Sequence, residues 1–413
     1  MKRFLMTLIL SIAAVPLIGC SECCSVQKEE SSAPAAEKPA ETPAPSPETP
    51  ASAEPTEKAA PVLDEKYRPS VYAELPDDLY GPDALCWNES TQTLYLTVPN
   101  FLFEENSPLP KTSSFLTKIN PDGTVEKLYE FPIRDGEVKI GAMGIDFGPD
   151  GNLYVCDNQY FFDTNYKSRV WRLVMKEGKP TDLQLAVSGL KVANAILFDG
   201  DAVFVTDTIL DEPGKYGSGG VYRFSTEEML AAGTDEAHPA ITVEPFADGK
   251  RDERLIIVED AVDVRGNNCG ADGICRDSAG IYYFGNYGDG AFYRFRFGAD
   301  GKPEVEKIHA AGEKFRSVDG ICYDPVTDRV YISDSADNAI RFFAPKPWGE
   351  KIVFETLWEN GDTDGADGSL DLPCECRVVG GKLIISNQDV GVGTTGKCQA
   401  TDKPYTLSAI SLE

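Results

Sequence analysis

Four segments of the 413-residue chain place an oxygen-bearing side chain at the same point of one local pattern. Asp83, Asn194, Asp272 and Asp319 each stand three residues ahead of Cys86, Leu197, Cys275 and Cys322, where a short apolar run begins. Carboxylate and amide oxygens are the donors a hard divalent cation takes, several to one ion at about 2.3–2.6 Å. An all-oxygen set favours Ca²⁺ over Zn²⁺. With two His residues in the chain, a His-rich transition-metal site is excluded, and no pair of CxxC motifs marks zinc. Taken singly, Asp272 and Asp319 are ordinary turn residues ahead of Gly. Asp83 and Asn194 precede Ala instead, so the polar residue persists without the turn chemistry. Convergent carboxylates with no cation between them would repel one another and be costly to bury.

The segments that carry these residues form a repeat. DALCWNESTQTLYLTVP, MGIDFGPDGNLYVCDN, NAILFDGDAVFVTDT, DGICRDSAGIYYFGNY and DGICYDPVTDRVYISDS share one plan, and PCECRVVGGKLIISNQD is a worn sixth copy. In each, an apolar strand meets a Gly-, Asp- or Asn-rich turn and then a strand rich in Tyr, Val and Ile, which is hairpin patterning. A second hairpin is expected after each, as in FLTKINPDGTVEKLYEF, GVYRFSTEEM and AFYRFRFGADGKPEVEKI. Four strands per copy predict an all-β, six-bladed propeller over residues 67–413. SVYAEL (70–75) is expected to join YTLSAISL in the last blade, leaving no unpaired edge. Equivalent positions then meet around one channel axis, and with them the four oxygen-bearing side chains. The stretch 248–270 is read as an insertion arching over one channel mouth.

From Tyr80 onward the pattern resembles the gluconolactonase and regucalcin (senescence marker protein) family of six-bladed propellers. The match rests on Asp83 four residues before Trp87, on Asn194-Ala195-Ile196, on Asp272-Gly273-Ile274 and on the closing DKPYTLSAISL. The resemblance implies that Asp83, Asn194 and Asp272 ligate a catalytic divalent metal. It departs in two places. Asp83 stands where the family usually has Glu, and blade two reads Gly141-Ala142-Met143-Gly144 where the family offers an Asn. The second departure weakens the case for a sugar lactone.

The expected chemistry is metal-dependent hydrolysis of a small lactone or ester, most simply with Ca²⁺. The cation would polarise the carbonyl and acidify a bound water, with Asp272 or Asp319 as general base. The alternative is a non-catalytic propeller that binds a protein, peptide or glycan, since the fold hosts both. Neither His238 nor His309 makes a triad arguable. GVGTTG (391–396) has the spacing of a dinucleotide loop but is followed by Pro404 and a strand rather than a helix. DTDGADG (362–368) lacks the alternation and closing Glu of a calcium loop and reads as an inter-blade turn. Asp207, Asp334 and Asp289 read as structural, and the aromatic residues of IYYFGNY as blade packing.

The N-terminus addresses the chain. Lys2 and Arg3 precede an apolar run, Phe4 to Ile18, that ends in Leu-Ile-Gly-Cys. Residues 1–19 are therefore expected to be a lipoprotein signal peptide and Cys20 the lipidated residue. A Pro/Ala/Glu-rich linker over 20–66 cannot bury enough apolar surface to order itself. A lipid-anchored protein of the cell envelope is expected, touching the membrane through its anchor alone. A formal net charge of −28 argues against nucleic acid. A small-molecule substrate and a monomeric state are expected. Eight Cys in the propeller allow 105 pairings, so connectivity is unreadable from the sequence.

Overall fold

The computed structural model describes residues 63–101, 112–133, 139–210, 217–246, 250–262, 269–392 and 395–413. The signal peptide, Cys20 and residues 20–62 of the linker lie outside the described residues.

The described residues form six sheets around a ring, antiparallel but for one short edge strand, a six-bladed propeller. The inner strands are Leu85–Asn88, Ala142–Phe147, Ala193–Asp199, Ala271–Arg276, Ile321–Asp324 and Pro373–Val379. Ser70–Glu74 pairs with the C-terminal strand Thr406–Ser411, so the last blade takes its outer strand from the start of the domain and the ring closes without an open edge. Alternate faces of each blade pack on its two neighbours, which is why the second strands are buried throughout rather than alternating. Apolar clusters fill the interfaces between blades: for example, Cys86, Tyr95, Ile145 and Trp171 join blades one and two, and Phe204, Tyr282, Phe284 and Phe295 join blades three and four. Tyr282, Tyr283 and Phe284 are all buried there or in the next interface, as blade packing requires.

Blade three departs from the expected hairpin. GVYRFSTEEM does not turn back; Ser218–Ser225 runs directly into a short helix, Thr226–Ala231. Ser225 caps it, its hydroxyl accepting from Glu228 N while the Glu228 carboxylate accepts from Ser225 N, a capping box. The chain then lends Ile241–Thr242 in parallel to the outer edge of blade two and returns as Leu255–Asp260, the fourth strand of blade three. This corrects the reading of 248–270 as a cover over the channel: Leu255, Ile257 and their neighbours alternate inward as an outer strand. Residues 263–268 lie outside the described set.

Candidate metal centre at the channel mouth

Each inner strand opens with an irregularity. The pairing register slips between Ala142 and Ile145, Ala193 and Ile196, Ala271 and Ile274, and Pro373 and Cys376. In blades one and five the same two-residue step is bracketed by Asp83 N to Thr97 O and Asp319 N to Ser333 O. Such bulges re-aim side chains, and here they turn one residue per blade toward the axis. The six equivalent positions are Asp83, Met143, Asn194, Asp272, Asp319 and Cys374. The bulged amide that follows needs a new acceptor, and the second strand supplies a hydroxyl: Thr97 Oγ1 accepts from Ala84 N, Thr206 Oγ1 from Ala195 N, and Ser386 Oγ from Glu375 N, at 2.8–3.1 Å.

The Gly of the Asp-Gly steps is explained by the crowding of these strands. A Cβ on Gly273 would stand 2.3 Å from Asp319 O, and one on Gly320 the same distance from Glu375 Oε1. Gly273 N donates to Asp319 O at 3.1 Å and Gly320 N to Cys374 O at 2.7 Å, so the bulges are tied to each other around the mouth.

Asp83, Asp272 and Asp319 are buried, at 4%, 4% and 9% exposure, and no lysine or arginine pairs with them among the described residues. Burial first, then repulsion from Asp319 and Asp83, pushes Asp272 well above the usual carboxylate range. Burial and Asp83 do the same to Asp319, against the hydrogen bonds it accepts. Burial raises Asp83 to about 7, held back by Cys374 and Gln388.

The polar contacts divide the ring into two arcs. Asn194 Nδ2 donates to Asp272 Oδ2 at 2.6 Å and lies 3.1 Å from Thr208 Oγ1. On the other side the Cys374 thiol bridges Asp319 Oδ1, at 3.4 Å, and Asp83 Oδ2, at 3.5 Å. Ser335 Oγ contacts Asp319 Oδ2 at 2.9 Å, and Gln388 Nε2 donates to Asp83 Oδ2 at 3.3 Å. The structure thus puts all four sequence-identified residues at one level, with Asn194 beside Asp272 and Asp83 linked to Asp319 through sulfur. The carboxylates stand apart, since the single trio of acidic or thiol donors that lie within 4.8 Å of one another among the described residues is elsewhere.

Three participants are added. Cys374, Gln388 and Glu375 all come from the worn sixth copy, PCECRVVGGKLIISNQD, whose alignment with the other five would have identified Cys374 as their counterpart. Glu375 Oε1 accepts from Cys376 N at 2.8 Å. Burial raises it to about 7, opposed by Arg377. Three residues below the ring the layer reads Cys86, Asp146, Leu197, Cys275, Cys322 and Arg377, and a cavity of about 230 Å³ opens beside Asp146, Leu197, Cys275 and Arg377.

The remaining candidates have structural work. Asp207 accepts from Lys191 N and Val192 N, Asp334 pairs with Arg341 at 3.0 Å, and Asp289 accepts from Val262 N and Ala291 N across its turn. His309 Nε2 accepts from Lys314 N while its ring stacks on Phe315. His238 is exposed beside Asp235. Cys86, Cys156, Cys275, Cys322, Cys374, Cys376 and Cys398 form no disulfide, and the Cys322 and Cys376 sulfurs lie 3.6 Å apart.

No family model matches the chain, and no curated protein matches it. Solved structures do. A luciferin-regenerating enzyme is 13% identical, with a TM-score of 0.51 over 83% of this chain and 95% of its own. A calcium-binding protein, regucalcin, from Agrobacterium tumefaciens is 12% identical, with a TM-score of 0.48 over 84% and 93%. The periplasmic gluconolactonase of Pseudomonas aeruginosa is 14% identical, with a TM-score of 0.47 over 83% and 90%. All are six-bladed propellers, and at these identities the shared property is the fold.

Proposed function

We propose that the channel mouth holds a divalent cation, best matched by Ca²⁺, on Asp83, Asn194 and Asp272, and that the protein hydrolyses small lactones or esters there. One observation carries this reading: three buried carboxylates, delivered by equivalent bulges to one level of the channel, repel one another with no basic side chain among the described residues to compensate them. Uncompensated buried carboxylates are costly, and their oxygen donors suit a hard cation. A cation bound there would polarise a carbonyl and lower the pKa of a water.

The chain's own residues divide the remaining tasks. Asn194 holds Asp272 by Oδ2, which leaves Oδ1 of Asp272 to take a proton from water as general base. Asp319, anchored by Ser335 at Oδ2, is the second carboxylate able to hold that proton, and burial with their mutual repulsion favours the protonated form of each. Gln388 orients Asp83. In the same proposal the protein is a monomer held in the cell envelope by a lipid on Cys20, a reading that the Leu-Ile-Gly-Cys run after the apolar stretch supports. The non-catalytic alternative draws support from Cys374, whose thiol already occupies the space between Asp83 and Asp319.

A panel of lactones and aryl esters, assayed with and without chelator, separates the two. Hydrolysis that chelator abolishes and Ca²⁺ restores is expected. Inactivity across the panel, with a thermal stability indifferent to chelator, would favour the binding module.

A further inference from the structure

We propose that Asp371, Asp389 and Cys398 form a second cation site, separate from the channel, that takes a borderline-soft divalent ion such as Zn²⁺. Each of the three offers a donor atom within 4.8 Å of the other two, and their exposures are 1%, 2% and 0%. Both carboxylate oxygens of Asp371 are buried without a hydrogen-bond partner. A buried carboxylate whose oxygens face only another carboxylate and a thiol is costly unless neutralised or bound.

The surroundings do not supply the missing charge. Lys397, next to Cys398 in the chain, bonds Glu359 at 2.6 Å and Asn360 O at 3.2 Å. The other charged groups that bear on Asp371 are Asp362, Asp364 and Asp402, all acidic. Asp389 accepts the backbone N–H of Asp402, at 3.1 and 3.3 Å. The Cys398 sulfur lies 3.5 Å from Val390 O and 3.3 Å from Ala400 O.

Sulfur decides the class of ion. Two carboxylates alone would suit Ca²⁺, whereas one thiolate with two carboxylates makes three of the four ligands that Zn²⁺ uses, water supplying the fourth. Binding forms a metal–sulfur bond and releases the thiol proton to solvent. The location gives the ion a purpose. Asp371 lies three residues before Cys374, and Asp389 follows Gln388, the donor to Asp83. An ion there ties the first two strands of blade six together where they meet the channel ring.

The test uses the full chain stripped of metal and titrated with Co²⁺, which reports thiolate ligation by a charge-transfer absorption in the near ultraviolet. Comparison with Cys398→Ser subtracts the thiols elsewhere in the chain. The band is expected in the unmodified protein, lost in Cys398→Ser and in Asp371→Asn, retained in Cys374→Ser and Asp272→Asn, and displaced by Zn²⁺. Asp371→Asn preserves shape and removes an unpaired charge, so its metal-free Tm is expected to equal or exceed that of the parent even if Cys398→Ser fails to fold. Absence of the band from the parent, its survival in Asp371→Asn, or its displacement by Ca²⁺ and not by Zn²⁺ would overturn the assignment.

Discussion

At the scale of single residues, the channel carboxylates are held in a state that water would relieve. Because the folded pKa of Asp83 and of Glu375 is raised to about 7, both favour the fold most while protonated. In the metal-free protein their contribution is fully present below about pH 4, the unfolded value, and is lost as pH rises through about 7. Metal-free protein is therefore expected to have a higher Tm at pH 5 than at pH 8, with added Ca²⁺ narrowing the gap at pH 8; scanning calorimetry at the two values checks it. Asp272→Asn removes one charge from the repelling set while keeping its shape. It is expected to raise the metal-free Tm at pH 8, because it removes a buried charge that Asp319 and Asp83 repel, and to abolish the stabilisation by Ca²⁺. A variant that loses stability at both pH values would mean that Asp272 serves as a turn residue and no more.

The inner-strand bulge is the element on which the site depends. Thr206→Val strips Ala195 N of its acceptor and is expected to cost about 1–3 kcal/mol, visible as a lower denaturant midpoint with an unchanged slope. Gly273→Ala drives a Cβ against Asp319 O at 2.3 Å; about 1–3 kcal/mol of strain should accompany a fall in Ca²⁺ affinity, because the same contact sets Asp272 against Asp319. The repeat, the blade count, the ring closure and the four aligned oxygen-bearing residues were legible in the sequence, because hairpin patterning and a fixed offset from Cys86, Leu197, Cys275 and Cys322 are one-dimensional signals. Blade three was not. Its STEEML carries a capping box, a helix signal in plain view, but five residues of helix-like pattern compete poorly with the strand that precedes them. The return of Leu255–Asp260 needed knowledge of which edge was empty. Cys374 escaped because its blade has Glu375 where the others have Gly or Ala, so the copy looked degenerate at the position that matters. The loops 362–368 and 391–396 have the look of a calcium loop and of a dinucleotide loop without completing either motif. The buried carboxylate beside them, Asp371, belongs to neither motif and becomes visible only when three distant segments meet.

For the whole molecule, closure is the condition on which everything above rests. The pairing of Ser70 with Ala409 through Glu74 with Thr406 completes blade six, which carries Cys374, Gln388, Asp371 and Asp389. Deleting residues up to 75 should unpair that blade, expose a strand edge and lower the Tm well beyond the effect of any single substitution above; a Tm within a degree or two of the parent would show that the ring closes without its first strand. Acidity of the chain as a whole, at −28, raises the local concentration of divalent cations over the channel mouth, so weak metal binding is expected to fall with ionic strength. The most direct trial of the central claim is calorimetric titration of the metal-free protein with Ca²⁺, run beside ester and lactone hydrolysis for the parent and Asp272→Asn. A saturable heat that appears with the activity in the parent and vanishes with it in Asp272→Asn is predicted. Hydrolysis that persists in Asp272→Asn, or in the presence of chelator, would contradict a cation-dependent centre at the channel mouth.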